Sequence, residues 1–194
     1  MKKGLLIILS GPSGVGKGTI RQYLMEDKSL NLGFSISCTT RSPRVGEVDG
    51  VDYFFVDEET FKKGIEKNQF IEYTQYCDNF YGSSLSYIEK LRNKGLNVIV
   101  EIETNGARQL IEKKSDDRQI SIFILPPSME SLVERIQKRN SETPESLAKR
   151  LNAAKRELEL ARAYDFNAVN DSKEICAATI GDFIRRKIKE LEND

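Results

Sequence analysis

The sequence predicts an α/β fold with a parallel sheet, and three observations lead to it. Short apolar runs rich in β-branched residues stand at Leu5–Leu9, Val98–Ile102 and Ile120–Leu125. Each is nearly continuous, as a parallel strand covered on both faces requires. Helical stretches lie between or after them, at Lys17–Met25, Thr104–Lys114, Met129–Arg139 and Thr179–Leu191. Strands alternating with helices wind into one sheet with right-handed crossovers. The 194 residues are enough for one core carrying inserted subdomains.

Two regions break the alternation. Residues 35–95 hold aromatic, hydroxyl and turn residues, as in "SISCTTRSPRVGEVDGVDYFF", and read as a small mixed β insertion. Residues 127–157 read as two charged helices around "RNSETPES". There Thr143 fits an N-cap and Pro144 the first helical position. Leu147, Leu151, Ala154 and Leu158 follow at helical spacing.

Composition excludes several classes. Lys plus Arg (30) balance Asp plus Glu (30), so no overall field draws the chain to nucleic acid or membrane. There is no histidine, which rules out His-based zinc sites and Ser-His-Asp triads. The cysteines, Cys38, Cys77 and Cys176, are odd in number and far apart, so no disulfide framework is expected. "MKKGLLIIL" has too short an apolar run for a signal peptide, and no run reaches membrane-spanning length. The chain reads as cytoplasmic.

The most specific local signal is "GPSGVGKG", which matches G-x-x-x-x-G-K between a strand and a helix. Gly11, Pro12, Ser13, Gly14, Val15, Gly16, Lys17, Gly18 and Thr19 form this loop. Its backbone N–H groups can converge on phosphate oxygens at a helix N-terminus, and Lys17 can neutralise the β and γ phosphates. A hydroxyl that ligates Mg²⁺ usually follows the lysine, but here Gly18 stands there. Thr19 points about 100° away around the helix. Mg²⁺ dehydrates reluctantly, so water can keep that position. "GKGT" is the form adenylate kinases carry, and the guanine signature N-K-x-D of switch GTPases is missing. The loop therefore points to a nucleotide kinase.

Further motifs narrow the reading. "SCTTRSPRVGEVDGVDYFF" (37–55), "FIEY" (70–73), "YGSS" (81–84), "VIVEIETNGA" (98–107) and "AVND" (168–171) together closely resemble the guanylate kinase family. The resemblance runs over nearly the whole chain. It implies transfer of the γ-phosphoryl of ATP to GMP, with Mg²⁺, on a P-loop kinase core. The expected division is a core at 1–34, 96–126 and 158–194, a mixed α+β GMP-binding region at 35–95 and a helical lid at 127–157.

The residue chemistry accords with that resemblance. A 5′-phosphate needs cationic and hydroxyl donors. Arg41 and Arg44 suit a forked grip, and Tyr53 and Tyr81 carry phenol hydroxyls. Read alone, Arg41 and Arg44 serve as well as surface charges and Tyr53 as a core residue. Guanine presents N1–H and N2–H donors, for which carboxylates are the right partners. The resemblance gives Glu72 and Glu101 this role, and gives Ser37 and Ser83 the O6 acceptor. Adenine would leave a carboxylate without its donors, a mismatch that such sites reject strongly. "EIE" stands where the family commonly has Asp-x-Asp, and the added methylene moves each carboxylate by about 1.5 Å. Glu101 and Glu103 are thus expected behind the metal's water and not as its ligands.

Phosphoryl transfer needs alignment, charge cancellation and exclusion of water. By resemblance Arg135, Arg139 and Arg150 are the lid's catalytic arginines beside Lys17, with Arg156 a weaker candidate, and Asn170 lies near adenine. The partners implied are ATP and GMP, without nucleic acid or membrane. Nothing in the sequence sets an oligomeric state. Two rivals stand beside this reading: a non-catalytic guanylate-kinase-like interaction module, and a kinase for another nucleoside monophosphate.

Overall fold

The computed structural model describes residues 2–76, 78–113, 117–137 and 144–193, and for 76 and 144–150 the backbone alone. The chain begins β1 (Leu6–Ser10), α1 (Lys17–Glu26), a 3-10 turn (Lys28–Leu30), β2 (Leu32–Phe34), β3 (Cys38–Thr39) and β4 (Phe54–Phe55). It continues α2 (Glu58–Glu66), β5 (Phe70–Tyr76), β6 (Asn79–Ser84) and α3 (Leu85–Asn93). The remainder is β7 (Asn97–Glu101), α4 (Thr104–Lys113), β8 (Gln119–Leu125), α5 (Met129–Gln137), α6 (Pro144–Glu159), β9 (Phe166–Val169) and α7 (Lys173–Asn193).

The larger sheet runs β2-β7-β1-β8-β9, and every pairing in it is parallel. Side chains alternate across it, so β1 feeds two cores. Leu5, Ile7 and Leu9 pack with Ile20 and Leu24 of α1 and Ile180 and Ile184 of α7. Leu6 and Ile8 pack on the other face with Ile88 of α3 and Ala107 and Leu110 of α4. Each fully buried aliphatic side chain contributes about 1.5–3 kcal/mol. Because both faces are covered, the apolar runs are continuous in the sequence.

The second sheet, β4-β3-β6-β5, is mixed: β3 and β4 are parallel, the other pairs antiparallel. Its core is aromatic. Phe61 of α2 stacks on Phe70 at 4.4 Å and on Phe80 at 5.4 Å. α2 starts at Asp57, whose carboxylate accepts the Thr60 amide at 2.7 Å. The Gln109 side-chain amide of α4 donates to the Tyr73 carbonyl at 2.8 Å and ties this sheet to the larger one.

Several features lie beyond the sequence expectations. β2 and β9 complete the larger sheet, while α2 and α3 are the helices of the mixed α+β region expected at 35–95. α7 begins at Lys173, well before Thr179. Ser172 starts it, its carbonyl accepting the Cys176 amide at 2.9 Å and its hydroxyl the Ile175 amide at 3.3 Å. Pro144 is the first residue of α6, as expected, while Thr143 lies outside the described residues. Among the described residues no helix is long and apolar enough to cross a membrane.

Candidate nucleotide-binding site

The carboxyl ends of β1, β7, β8 and β9 converge on one side of the sheet, where ligands bind in such folds. The loop of residues 11–19 leaves β1 there and enters α1. Gly16 precedes the first helical residue with φ 99°, a conformation L side chains rarely adopt. A Cβ on it would also sit 2.7 Å from the Asn170 side-chain nitrogen.

The loop is anchored from outside. The Val15 carbonyl accepts from the Asn170 side-chain amide at 2.8 Å and from Arg135 Nη1 at 3.3 Å. Arg135 Nη2 donates to the Asn170 carbonyl at 2.8 Å. Lys17 Nζ lies over the loop, donating to the carbonyls of Gly11 (2.7 Å) and Pro12 (3.3 Å). Beside the loop, Gly16, Thr19, Arg135, Asn170, Asp171 and Lys173 help line a cleft of about 360 Å³.

Across the sheet end lies a second cleft of about 230 Å³, lined among others by Ser37, Arg41, Arg44, Tyr53, Glu72, Tyr81 and Glu103. Glu72, from β5, is only 4% exposed. Its Oε1 accepts the Ser83 hydroxyl at 2.6 Å across the β5–β6 pair. Burial pushes its carboxyl up to about 7; the Ser83 hydrogen bonds oppose this and the charge of Glu103 adds to it. Gly106 of α4 lies so close that a Cβ there would collide with the Glu72 carboxylate.

Arg41 makes a two-pronged ion pair with Glu47, at 2.8 and 2.9 Å. The rings of Tyr53 and Tyr81 meet edge to face at 6.1 Å, and the Arg41 guanidinium lies 5.5 Å from the Tyr53 ring. Burial raises the Tyr53 hydroxyl above its ordinary range, with the Tyr81 oxygen adding to the effect.

A third cleft of about 570 Å³ joins the two. It is lined by the loop and by Arg44, Tyr53, Glu101 and Glu103, all four of which also line the second cleft. Here Glu101 Oε2 accepts from Arg21 Nε at 2.9 Å, and the Arg21 guanidinium lies 4.0 Å from the Phe34 ring centre. A Cβ on Gly18 would sit 3.8 Å from Glu101 Oε1, an ordinary contact distance. Glu157 of α6 accepts from the Thr104 hydroxyl at 3.4 Å and from the Ser13 amide. Burial raises its pKa, Lys17 pulls it down and Glu103 pushes it up. Among the described residues no three His, Cys, Asp or Glu side chains are grouped to hold a metal ion.

A model of the guanylate kinase family matches residues 3–187. The chain belongs to the guanylate kinase family. A solved guanylate kinase, from Anaplasma phagocytophilum, is 34% identical and superposes with a TM-score of 0.77. The match covers 96% of this chain and 87% of that one.

For a guanylate kinase, most of the residues expected from the sequence fall around the three joined clefts. Three make contacts that the sequence did not show. Ser83 donates its hydroxyl hydrogen to Glu72 and so orients the carboxylate. Glu101 leans to Arg21, and it is Glu103 whose charge acts on Glu72. Arg135 bonds at the Asn170 side of the loop, on the cleft remote from Glu72. Arg139 lies outside the described residues, as does the side chain of Arg150, whose backbone belongs to α6. Arg156 is exposed. Residues not singled out from the sequence also meet here: Glu47, Arg21, Thr74, Glu157 and Asp171. For Glu47 a signal was present, as it ends the run "TTRSPRVGE" that carries Arg41 and Arg44.

Proposed function

We propose that this guanylate kinase binds ATP along the loop and the Asn170 cleft, and GMP in the Glu72 cleft, so that the γ-phosphoryl passes to the GMP phosphate where the clefts meet. The observation that carries this assignment is the shared wall. Arg44, Tyr53, Glu101 and Glu103 line both the loop cleft and the Glu72 cleft, so donor and acceptor phosphates would face each other across them. The loop amides and Lys17 hold the β and γ phosphates. Arg41, Arg44, Tyr53 and Tyr81 take the GMP phosphate, and Glu72 takes guanine N1–H and N2–H, with Ser37 and Glu103 beside the base. A GMP phosphate oxygen is already an anionic nucleophile, so no general base is required. The residues need only align the two nucleotides and offset their repulsion.

In this reading residues 1–34, 96–126 and 158–194 act as the core, 35–95 as the acceptor region and 127–157 as the lid. Arg135 works on the adenine side, and Arg139 and Arg150 would reach the phosphates from the lid. Mg²⁺ would arrive with ATP, on phosphate oxygens and water. The space left by Gly18 and the nearby Glu101 carboxylate suit a hydrated ion, since its ligands are oxygens. When bound, the ion draws charge from the β and γ oxygens. A cytoplasmic location fits the ATP and GMP it would consume.

The test is a coupled ADP-release assay with Mg-ATP and GMP, dGMP, AMP, UMP or CMP as acceptor. Turnover with GMP well above AMP, UMP and CMP is expected. Equal turnover with AMP, or none with any acceptor, would overturn the reading.

A further inference from the structure

Arg41 carries five N–H hydrogens in a fixed planar fork, and the structure shows where three of them go. Nη1 donates to Glu47 Oε2 at 2.9 Å and to the Ser42 carbonyl at 2.8 Å, while Nη2 donates to Glu47 Oε1 at 2.8 Å. Glu47 thus occupies the end-on fork, and Ser42 takes the outer hydrogen of Nη1. The side-on fork remains, Nε–H together with the outer hydrogen of Nη2. No carboxylate among the described residues holds it; among them the one further hydrogen-bond partner of the guanidinium is the neutral Tyr81 hydroxyl, which accepts from it and itself lines the Glu72 cleft. Glu47 is itself pinned, because its Oε2 also accepts the Arg44 amide at 2.7 Å. The rings of Tyr53 (5.5 Å) and Phe55 (5.8 Å) flank the guanidinium.

We infer that Glu47 is a positioning residue for the acceptor phosphate: by holding the end-on fork of Arg41 it presents the side-on fork to the phosphate of GMP. The inference rests on the reading of the Glu72 cleft as the GMP site. Two opposed effects decide what Glu47 does. Its negative charge repels a phosphodianion, but the Arg41 guanidinium paired with it at 2.8 and 2.9 Å offsets that charge. Against this, a guanidinium fixed in advance loses no rotamer freedom when the phosphate binds. A carboxylate that merely filled the fork and competed with phosphate would have the opposite consequence, weakening binding by its presence.

Glu47→Gln separates the two. The amide keeps the shape but turns an NH₂ group towards one of the donor nitrogens, so the end-on fork is no longer held. GMP and guanosine affinities would be measured by calorimetry on wild type and variant, with KM for GMP and for ATP alongside. The expected result is GMP binding weaker by about tenfold or more, the loss of a charge-assisted bond pair. Guanosine, which lacks the phosphate, should bind both proteins alike, and KM for ATP should not move. GMP bound as tightly or more tightly by the variant would overturn the inference. So would an equal loss for guanosine and GMP, which would mark a structural role. A wild type that binds neither ligand would remove the GMP reading itself, on which the inference depends.

Discussion

Glu72 should be the site's most pH-sensitive group. Burial penalises the charge and pushes its carboxyl up from an ordinary 4.5 to about 7. The fold therefore holds this proton more tightly than the unfolded chain. The stability linked to it is full below about 4.5 and falls as pH rises through about 7. Over that window the loss is on the order of 3 kcal/mol. Glu72→Gln removes the charge, so it should melt higher than wild type at pH 8, and by more than at pH 5. Binding runs the other way, since guanine donors need the ionised carboxylate. At pH 6, guanosine binding should release close to one proton, read by calorimetry in two buffers of different ionisation enthalpy, and Glu72→Gln should release none. Gly106→Ala tests the packing behind this group. The new methyl would drive the carboxylate off its Ser83 bond, so KM for GMP should rise with KM for ATP unchanged. Lys17→Ala should leave the circular dichroism spectrum intact and lower turnover by a large factor; near-normal turnover would remove Lys17 from the mechanism.

The strand–loop–helix of residues 6–26 is the element most legible in the sequence, because its glycines, lysine and apolar run each answer a separate physical demand. Gly18 is the departure within it. The position lies on α1 with room for a side chain, 3.8 Å from Glu101 Oε1. The longer Glu101 carboxylate already approaches the place where a hydroxyl is usual. Gly18→Ser should therefore be mild. Mg²⁺ titrations of kcat for wild type and variant should agree within a few-fold, since one neutral hydrogen bond contributes only about 0.5–1.5 kcal/mol. A wild type that needs far more Mg²⁺ and saturates at a far lower rate would contradict this. Other elements were hidden for identifiable reasons. β2 and β9 are too short for a periodic signal, and both depend on pairing with β7 and β8. α2 was masked by its charged run "EETFKKG", although Asp57 caps it. Asp57→Ala should cost about 1 kcal/mol of stability by chemical denaturation.

At the scale of the whole molecule, the parallel sheet was readable because burial on both faces leaves continuous apolar runs, and the ligand end followed from the loop. What the sequence could not show is which side chains use one another across elements. Ser83 serves Glu72 across β5 and β6, Glu47 serves Arg41 across a turn, and Arg135 serves Asn170 across the end of the sheet. Each pairing is fixed by the folded geometry, and only that of Arg41 with Glu47 leaves a trace in the sequence, within the run "TTRSPRVGE". The account as a whole makes one claim about specificity: a buried carboxylate on β5 selects guanine, while the phosphate loop supplies the donor. The most direct measurement is kcat/KM for GMP and for AMP, with Mg-ATP as donor, in wild type and Glu72→Gln side by side. Wild type should prefer GMP by several orders of magnitude. In the variant, GMP should lose about 2–4 kcal/mol of transition-state stabilisation while AMP changes little, so that the preference shrinks. An undiminished preference for GMP in the variant would contradict the claim.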